Sequence, residues 1–452
     1  MTQPKFALIP AAVKLASPAN SKIYSVLPSN EDVDFNMNHT NQYSQRSRVT
    51  EDFLVEKQFE ARLDWGRTAL FGDECPSLTI GIEATNRITF SEEFDAFSWT
   101  QDNVAVINDA AISPSGELNG TLLKSTSGTP ASGYHGVKQD FTNFQYGSFY
   151  KSMSCYVKKG DSKYCYMRYY EGSQLANELT LRFDFDTGIA TLLSSNNTNV
   201  YRMVSQPNSL ANGWYRLEIA FESAGWNESV MAIQPDFGRT VYVWGAQAEI
   251  YNRPENAGGP IGAQTYAFCA PYIYTLQSYV TQSDEDRVKT SQSNLFENPQ
   301  GTFFVHIDEQ FKGISTNRQA ISISGIGSPE AGANRAVWWF DTGSQNNRVA
   351  ISVQLYGSGA QTIFTFVSPY THFTDTPNKM AISWSGSEIK VALNGGLAYT
   401  GSNPSGSVPT LLHTASFTSD SENFPFFGRT KDMRYYDEVL SNEELIELTL
   451  RN

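Results

Sequence analysis

Residues 426–450 read FFGRTKDMRYYDEVLSNEELIELTL, and the period of the pattern changes once within them. Met433 and Tyr435 alternate with Arg434 and Tyr436, as the two faces of a strand require. After Val439 and Leu440 comes Ser441-Asn442-Glu443-Glu444, a capping box. In it the Ser441 hydroxyl accepts a backbone N–H three residues on, and the Glu444 side chain reaches back to the N–H of Ser441. Leu440 and Leu445 flank the cap as a hydrophobic staple, and Leu448 continues the helical spacing. The stretch therefore predicts a closing β-strand followed by one short helix.

Working outward, the same period of two fills residues 291–452. The segments GTFFVHID (301–308), QAISISGIG (319–327), RAVWWFDTG (335–343), RVAISVQLYG (348–357) and QTIFTFV (361–367) alternate and end in turn residues. KMAISWSGSEIKVALNGG (379–396) predicts a hairpin with Met380, Ile382 and Trp384 on one face and Ile389, Val391 and Leu393 returning. Asn394-Gly395 is a tight-turn signal. Residues 89–252 carry a second set: FYKSMSCYVKKGDSKYCYMRYYEG (149–172), LTLRFDFDTGIATLL (179–193), NGWYRLEIAFES (212–223) and VYVWGAQAEI (241–250). Regular short strands with turn signals predict a sandwich or jelly roll. Between the two sets, residues 253–290 are rich in Gly, Pro and Asn at their start and are expected to be a connector. Residues 1–88 hold few periodic runs and are expected to be irregular.

Composition agrees with an all-β chain of several domains. The 452 residues are 13% aromatic and only 18% charged. A net charge of −14 repels phosphate backbones and counts against nucleic acid as a partner. No apolar run is long enough to span a bilayer, and the N-terminus lacks the apolar core and cleavage site of a signal peptide. Cys75, Cys155, Cys165 and Cys269 show no metal-type spacing and are expected as buried free thiols of a protein made in a reducing cytoplasm.

Three ordered sets of blocks resemble known families. The closing strand and helix resemble a laminin-G or concanavalin A-like lectin β-sandwich, whose motif Gly428, Asp432, Arg434, Tyr436, Leu440, Ser441 and Glu444 match. Phe90 to Trp99, Tyr156-Val157-Lys158, Asp184 to Gly188, Gly213 to Arg216 and Trp244 to Glu249 resemble a carbohydrate-binding-module jelly roll carried by tailed-bacteriophage virion proteins. DFNMNHTNQYSQRSRV (34–49), FLVE (53–56), ARLDW (61–65), CPSL (75–78) and IEATN (82–86) resemble the N-terminal region of the same phage proteins.

The resemblance implies a virion structural protein, a head fibre, decoration protein or tail fibre, made in the host cytoplasm and displayed on the virion surface. It implies attachment to other virion proteins through residues 1–88 and adhesion to host surface glycans. A homo-oligomer is expected, a trimer by analogy with phage fibres. The alternatives are a tailspike-type glycan-degrading enzyme and a cellular lectin.

No motif for chemistry stands out. There is no phosphate loop, no His-Glu-x-x-His and no nucleophile elbow, and His39, His135, His306, His372 and His413 lie far apart. Asp184 and Asp186 are the best paired carboxylates, but Asp-x-Asp-Thr-Gly also reads as an Asp bonding its own turn. No catalytic residue, metal or cofactor is expected. For glycans, whose C–H faces stack on aromatic rings, the candidates are Trp338 and Trp339, one facing inward and one outward, and Tyr169 and Tyr170 with Tyr164 and Tyr166 nearby. The same aromatics also suit a sandwich core or a subunit interface.

Overall fold

The computed structural model describes residues 6–8, 22–24, 35–38, 47–49, 55–57, 62–64, 77–80, 84–126, 135–141, 149–171, 174–195, 198–204, 206–207, 209–223, 229–251, 272–282, 287–290, 299–310, 318–324, 335–341, 350–356, 361–367, 378–386, 388–402, 414–417, 426, 428–436 and 438–450. The chain is all-β, with one short helix at its C-terminal end.

Residues 84–282 form a sandwich of two six-stranded sheets. The front sheet runs Ile189–Ser195, Gln174–Asp184, Tyr164–Glu171, Ser229–Pro235, Gly136–Asp140 and Thr100–Asp102. The back sheet runs Val104–Ile112, Leu118–Ser125, Thr240–Tyr251, Phe149–Lys159, Trp214–Ser223 and Thr198–Met203. Alternation decides which side chains meet between them. Cys165, Met167 and Tyr169 of the front sheet face Met153, Cys155 and Val157 of the back sheet, and one continuous core joins them with Leu179, Leu181, Phe183 and Ile233. Cys155 and Cys165 are free and buried there, and burial pushes both thiols up. Cys75 and Cys269 lie outside the described residues.

The outer face of the back sheet is covered as well. Tyr156, Trp214, Trp244, Leu210 and Tyr272 form a second buried cluster on it. Gly245, at φ +60°, lets this layer close: a Cβ there would lie 2.9 Å from the Tyr156 ring.

Tyr272 belongs to the stretch 253–290 expected as a connector, and this corrects the boundary. Residues 272–282 are built into the sandwich: Ile273 N donates to Gln247 Oε1, Thr275 Oγ1 donates to Ile88 O, and Val280–Gln282 pairs with Ala84–Asn86. Asn86, fully buried, holds the join by donating to the carbonyls of Ala246 and Ile273 and accepting from Ile88 N and Ala248 N. The bonds from Asn86 to Ala246, Ala248 and Ile273 link residues 160 or more apart, which local pattern cannot register. Residues 252–271 lie outside the described residues.

Strands from residue 287 onward supply five strands of a nine-stranded sheet and six of a seven-stranded sheet. Gly428–Tyr436 and Asn378–Trp384 flank Gly301–Gln310 in the first, and Arg318–Ser324, Arg335–Asp341 and Ala350–Tyr356 run side by side in the second. The predicted hairpin is present with Ile382 opposite Val391, and Asn394 and Gly395 both take positive φ in its neighbouring turn. The helix spans Asn442–Thr449 with its capping box formed in both directions. Leu440, Leu445 and Leu448 pack with Phe304, Ala381, Ala392 and Tyr436.

Within residues 1–83 the described strands are three or four residues long. Several complete C-terminal sheets: Phe6–Leu8 and Ser77–Ile80 pair with Gly428–Tyr436, and Phe35–Asn38 pairs with Arg287–Thr290.

Candidate ligand-binding face

The expected site residues separate cleanly by parity. Tyr169 follows Cys165 and Met167 inward and is 0% exposed, its ring 4.6 Å from that of Phe221. Its hydroxyl accepts from the buried Lys151 ammonium at 2.5 Å. Trp338 is 2% exposed, in the strand Arg335–Asp341. Neither ring can stack on a sugar, which corrects both expectations: Tyr169 shares the inward parity of Cys165 and Met167, and Trp338 lies in a strand whose Ala336, Val337 and Phe340 are buried as well. The Trp339 side chain lies outside the described residues.

Tyr170 has the opposite parity. It shares the outer face of the front sheet with Tyr164, Tyr166 and Arg168, all half-buried. Cross-strand register adds the rest. Arg182 stands opposite Tyr166 on one side, and Gln234 on the other. Arg168 stands between Thr180 and Ala232, and Ala232 is followed by Lys138. Ala232 is fully buried between those longer side chains, so the strand Ser229–Pro235 forms the floor of the face. A Cβ at Gly136 would meet Gln234 Cβ at 2.8 Å, so glycine there lets the next strand close against this floor.

The polar groups of the face are mostly engaged. Asp236 accepts from Ser162 Oγ, Tyr164 N and Tyr166 Oη. Burial and this carboxylate push the Tyr166 phenol up to about 12. Burial, with Asp140 and Asp102 nearby, pushes the Tyr170 phenol up to about 12. Both phenols therefore remain hydrogen-bond donors at neutral pH. Lys138 pairs with Asp102 at 2.7 Å. Two groups lack a hydrogen-bonding partner among the described residues. The Arg182 guanidinium lies over the Tyr164 ring at 4.6 Å, with Nε buried and unbonded. Gln234 Oε1 is also buried and unbonded, on a residue 7% exposed. Sequence reasoning missed both. Arg182 was readable from alternation between Leu181 and Phe183, whereas Gln234 sits in a strand buried on both faces and gave no signal.

Asp184 and Asp186 do not share a strand face. The strand ends at Asp184, whose Oδ1 accepts from Asp186 N in a turn closed by Gly188 at φ +70°. Lys159 pairs with Asp186 at 2.5 Å and Lys163 approaches Asp184 at 3.7 Å. Among the described residues no three His, Cys, Asp or Glu side chains come together as metal ligands, and no helix is long and apolar enough to cross a membrane. His39, His372 and His413 lie outside the described residues.

The fold and this face define an all-β chain with a tyrosine-lined sheet face on its first sandwich. Comparison with known protein families and with curated proteins gives no match. Solved structures with some likeness include carbohydrate-binding modules, sialidases, lectin-like β-sandwiches and a tailspike. The CBM40 module of the Ruminococcus gnavus IT-sialidase, bound to α2,6-sialyllactose, is 15% identical, with 34% of this chain and 84% of that chain covered at a TM-score of 0.27. The heptameric SAP-like pentraxin of Limulus polyphemus is 15% identical, with 35% and 73% covered at 0.28. Tailspike protein 2 of the Escherichia coli O157:H7 bacteriophage CAB120 is 13% identical, with 38% and 25% covered at 0.28. At these scores the likeness carries no argument about what this chain binds.

Proposed function

We propose that this chain is a structural protein of a tailed-bacteriophage virion that adheres to host surface glycans through the outer face of its front sheet. The observation that carries the adhesive part is the row Tyr164, Tyr166 and Tyr170 beside Arg168 and Arg182. Phenol rings offer apolar faces for sugar C–H groups and polar tips for hydroxyls, and a few convergent polar groups fix orientation. The virion part rests on the ordered sequence blocks between residues 34 and 86 and on the jelly-roll blocks that follow. Residues 1–88, of which 84–88 are built into the sandwich, attach the chain to other virion proteins, and the protein works as a homo-oligomer on the virion surface.

The reading is adhesive rather than hydrolytic. Its best carboxylate pair is engaged in a turn and two ion pairs, too closely tied to act as acid and base. The test incubates the full chain with host cells and with their isolated surface polysaccharide. Binding without release of reducing ends supports the reading. Turnover lost in Asp184→Asn would replace it with the tailspike-type enzyme. Labelled antibody against residues 84–282 should decorate intact virions; unlabelled virions would refute the structural role.

A further inference from the structure

We infer that the ligand of this face carries an anionic substituent, a carboxylate or phosphate on a sugar, seated on Arg182. The inference rests on the glycan-binding reading above and narrows its ligand class. The chain as a whole is acidic, at −14, so its surface ordinarily repels such a ligand. The cations around this face are accounted for. Lys138 pairs with Asp102, Lys159 with Asp186 and Lys163 with Asp184, and Arg168 is also engaged. Asp236, the carboxylate nearest the row, already accepts three hydrogen bonds, none of them from Arg182.

Arg182 is different. Its guanidinium lies over the Tyr164 ring at 4.6 Å, and its buried Nε has no acceptor among the described residues. Across Tyr166 from it lies the second unsatisfied group, Gln234 Oε1, an acceptor without a donor. Buried polar groups are nearly always paired, and in this cross-strand row two are not. A guanidinium fork matches a carboxylate or phosphate, and charge-assisted bonds of that kind are the strong ones. A sugar hydroxyl, which donates, reaches Gln234 Oε1 on a rearrangement of the side chains that bury it. Neither Arg182 nor Gln234 is needed to bind a neutral glycan by stacking alone.

The test uses the full chain on two matched probe pairs: oligogalacturonate against its methyl ester, and a phosphorylated oligomannose against its dephosphorylated parent. The charged member of at least one pair should bind roughly ten- to hundredfold more tightly than its neutral partner. Which pair shows the preference tells carboxylate from phosphate. Arg182→Gln should bring charged and neutral probes together, Arg182→Lys should keep part of the preference, and salt should weaken the charged probe alone. Gln234→Glu, which sets a like charge beside the anion, should lower affinity for the charged probe only. Equal binding within both pairs, unchanged by Arg182→Gln, would overturn the inference and leave glycan binding standing. Failure of every probe and of host polysaccharide to bind would overturn both.

Discussion

Tyr169 and Tyr166 lie three residues apart on one strand, and their replacement should have opposite consequences. Tyr169 is fully buried, stacked near Phe221 and Phe141, and its hydroxyl holds the buried Lys151 ammonium. Tyr169→Ala removes a large core ring and should cost about 3–5 kcal/mol. Against a total stability of roughly 5–15 kcal/mol, that is a large share. For a body of this size it corresponds to a fall in Tm of roughly 6–20 °C. Tyr169→Phe keeps the ring and removes only the hydroxyl. Because Lys151 has a further interaction, the cost should be smaller, about 1–2 kcal/mol. Tyr166→Ala removes a half-buried ring whose partner Asp236 keeps two other donors, so it should cost at most about 1 kcal/mol. The assay is calorimetric unfolding of the full chain, following the transition of residues 84–282, alongside glycan binding. Tyr169→Ala should lower Tm, and Tyr166→Ala should lower affinity. If Tyr166→Ala destabilises as much as Tyr169→Ala, or Tyr169→Phe abolishes binding in a fully folded protein, the assignment of faces is wrong.

Leu445→Ala should cost about 2–5 kcal/mol because Leu445 is fully buried against Phe304 and Ala381; unchanged unfolding of the C-terminal region would reject the helix packing. Gly245→Ala forces a side chain onto a positive φ and against the Tyr156 and Tyr272 rings, a cost of about 2–5 kcal/mol by the two effects together, read by urea denaturation. Burial, aided by Glu92, holds the Tyr272 phenol well above its usual range, and Tyr166 and Tyr170 are pushed up to about 12. Folded pKa values above unfolded ones give stability that is complete below about pH 10 and lost as pH rises through the folded values. The Tm should therefore fall between about pH 10 and 12, and Tyr272→Phe should flatten the fall; a fall of the same size in Tyr272→Phe would contradict this.

Much of the fold was legible where one element's pattern was enough. The capping box, the staple and the alternation in residues 426–450 each specify local geometry, and the closing strand and helix form as they require. The hairpin around residues 379–396 was legible for the same reason. The connector was misread because its aromatic second half gains meaning from Asn86, far away in sequence, and from Gln247 across the intervening stretch. The site was half legible. Tyr169 and Tyr170 were taken together as candidates, although the apolar pair Cys165 and Met167 already sets an inward parity that Tyr169 shares and Tyr170 does not. Trp338 and Trp339 were candidates as a pair of opposite parity, and alternation alone does not say which of the two is buried; the structure buries Trp338. Gln234 could not be found from sequence, since what singles it out is the lack of a partner in three dimensions.

The most direct test of the adhesive account is equilibrium binding of the full chain to the host's surface polysaccharide, comparing wild type with Tyr166→Ala/Tyr170→Ala. Both changes lie on the outer face of the front sheet and leave the core cluster untouched. The account predicts a folded double variant with at least roughly tenfold weaker binding, since truncating an aromatic anchor of a binding face commonly costs about 1–2 kcal/mol or more. Wild-type affinity in the double variant would contradict the claim that this face is where the protein meets a glycan.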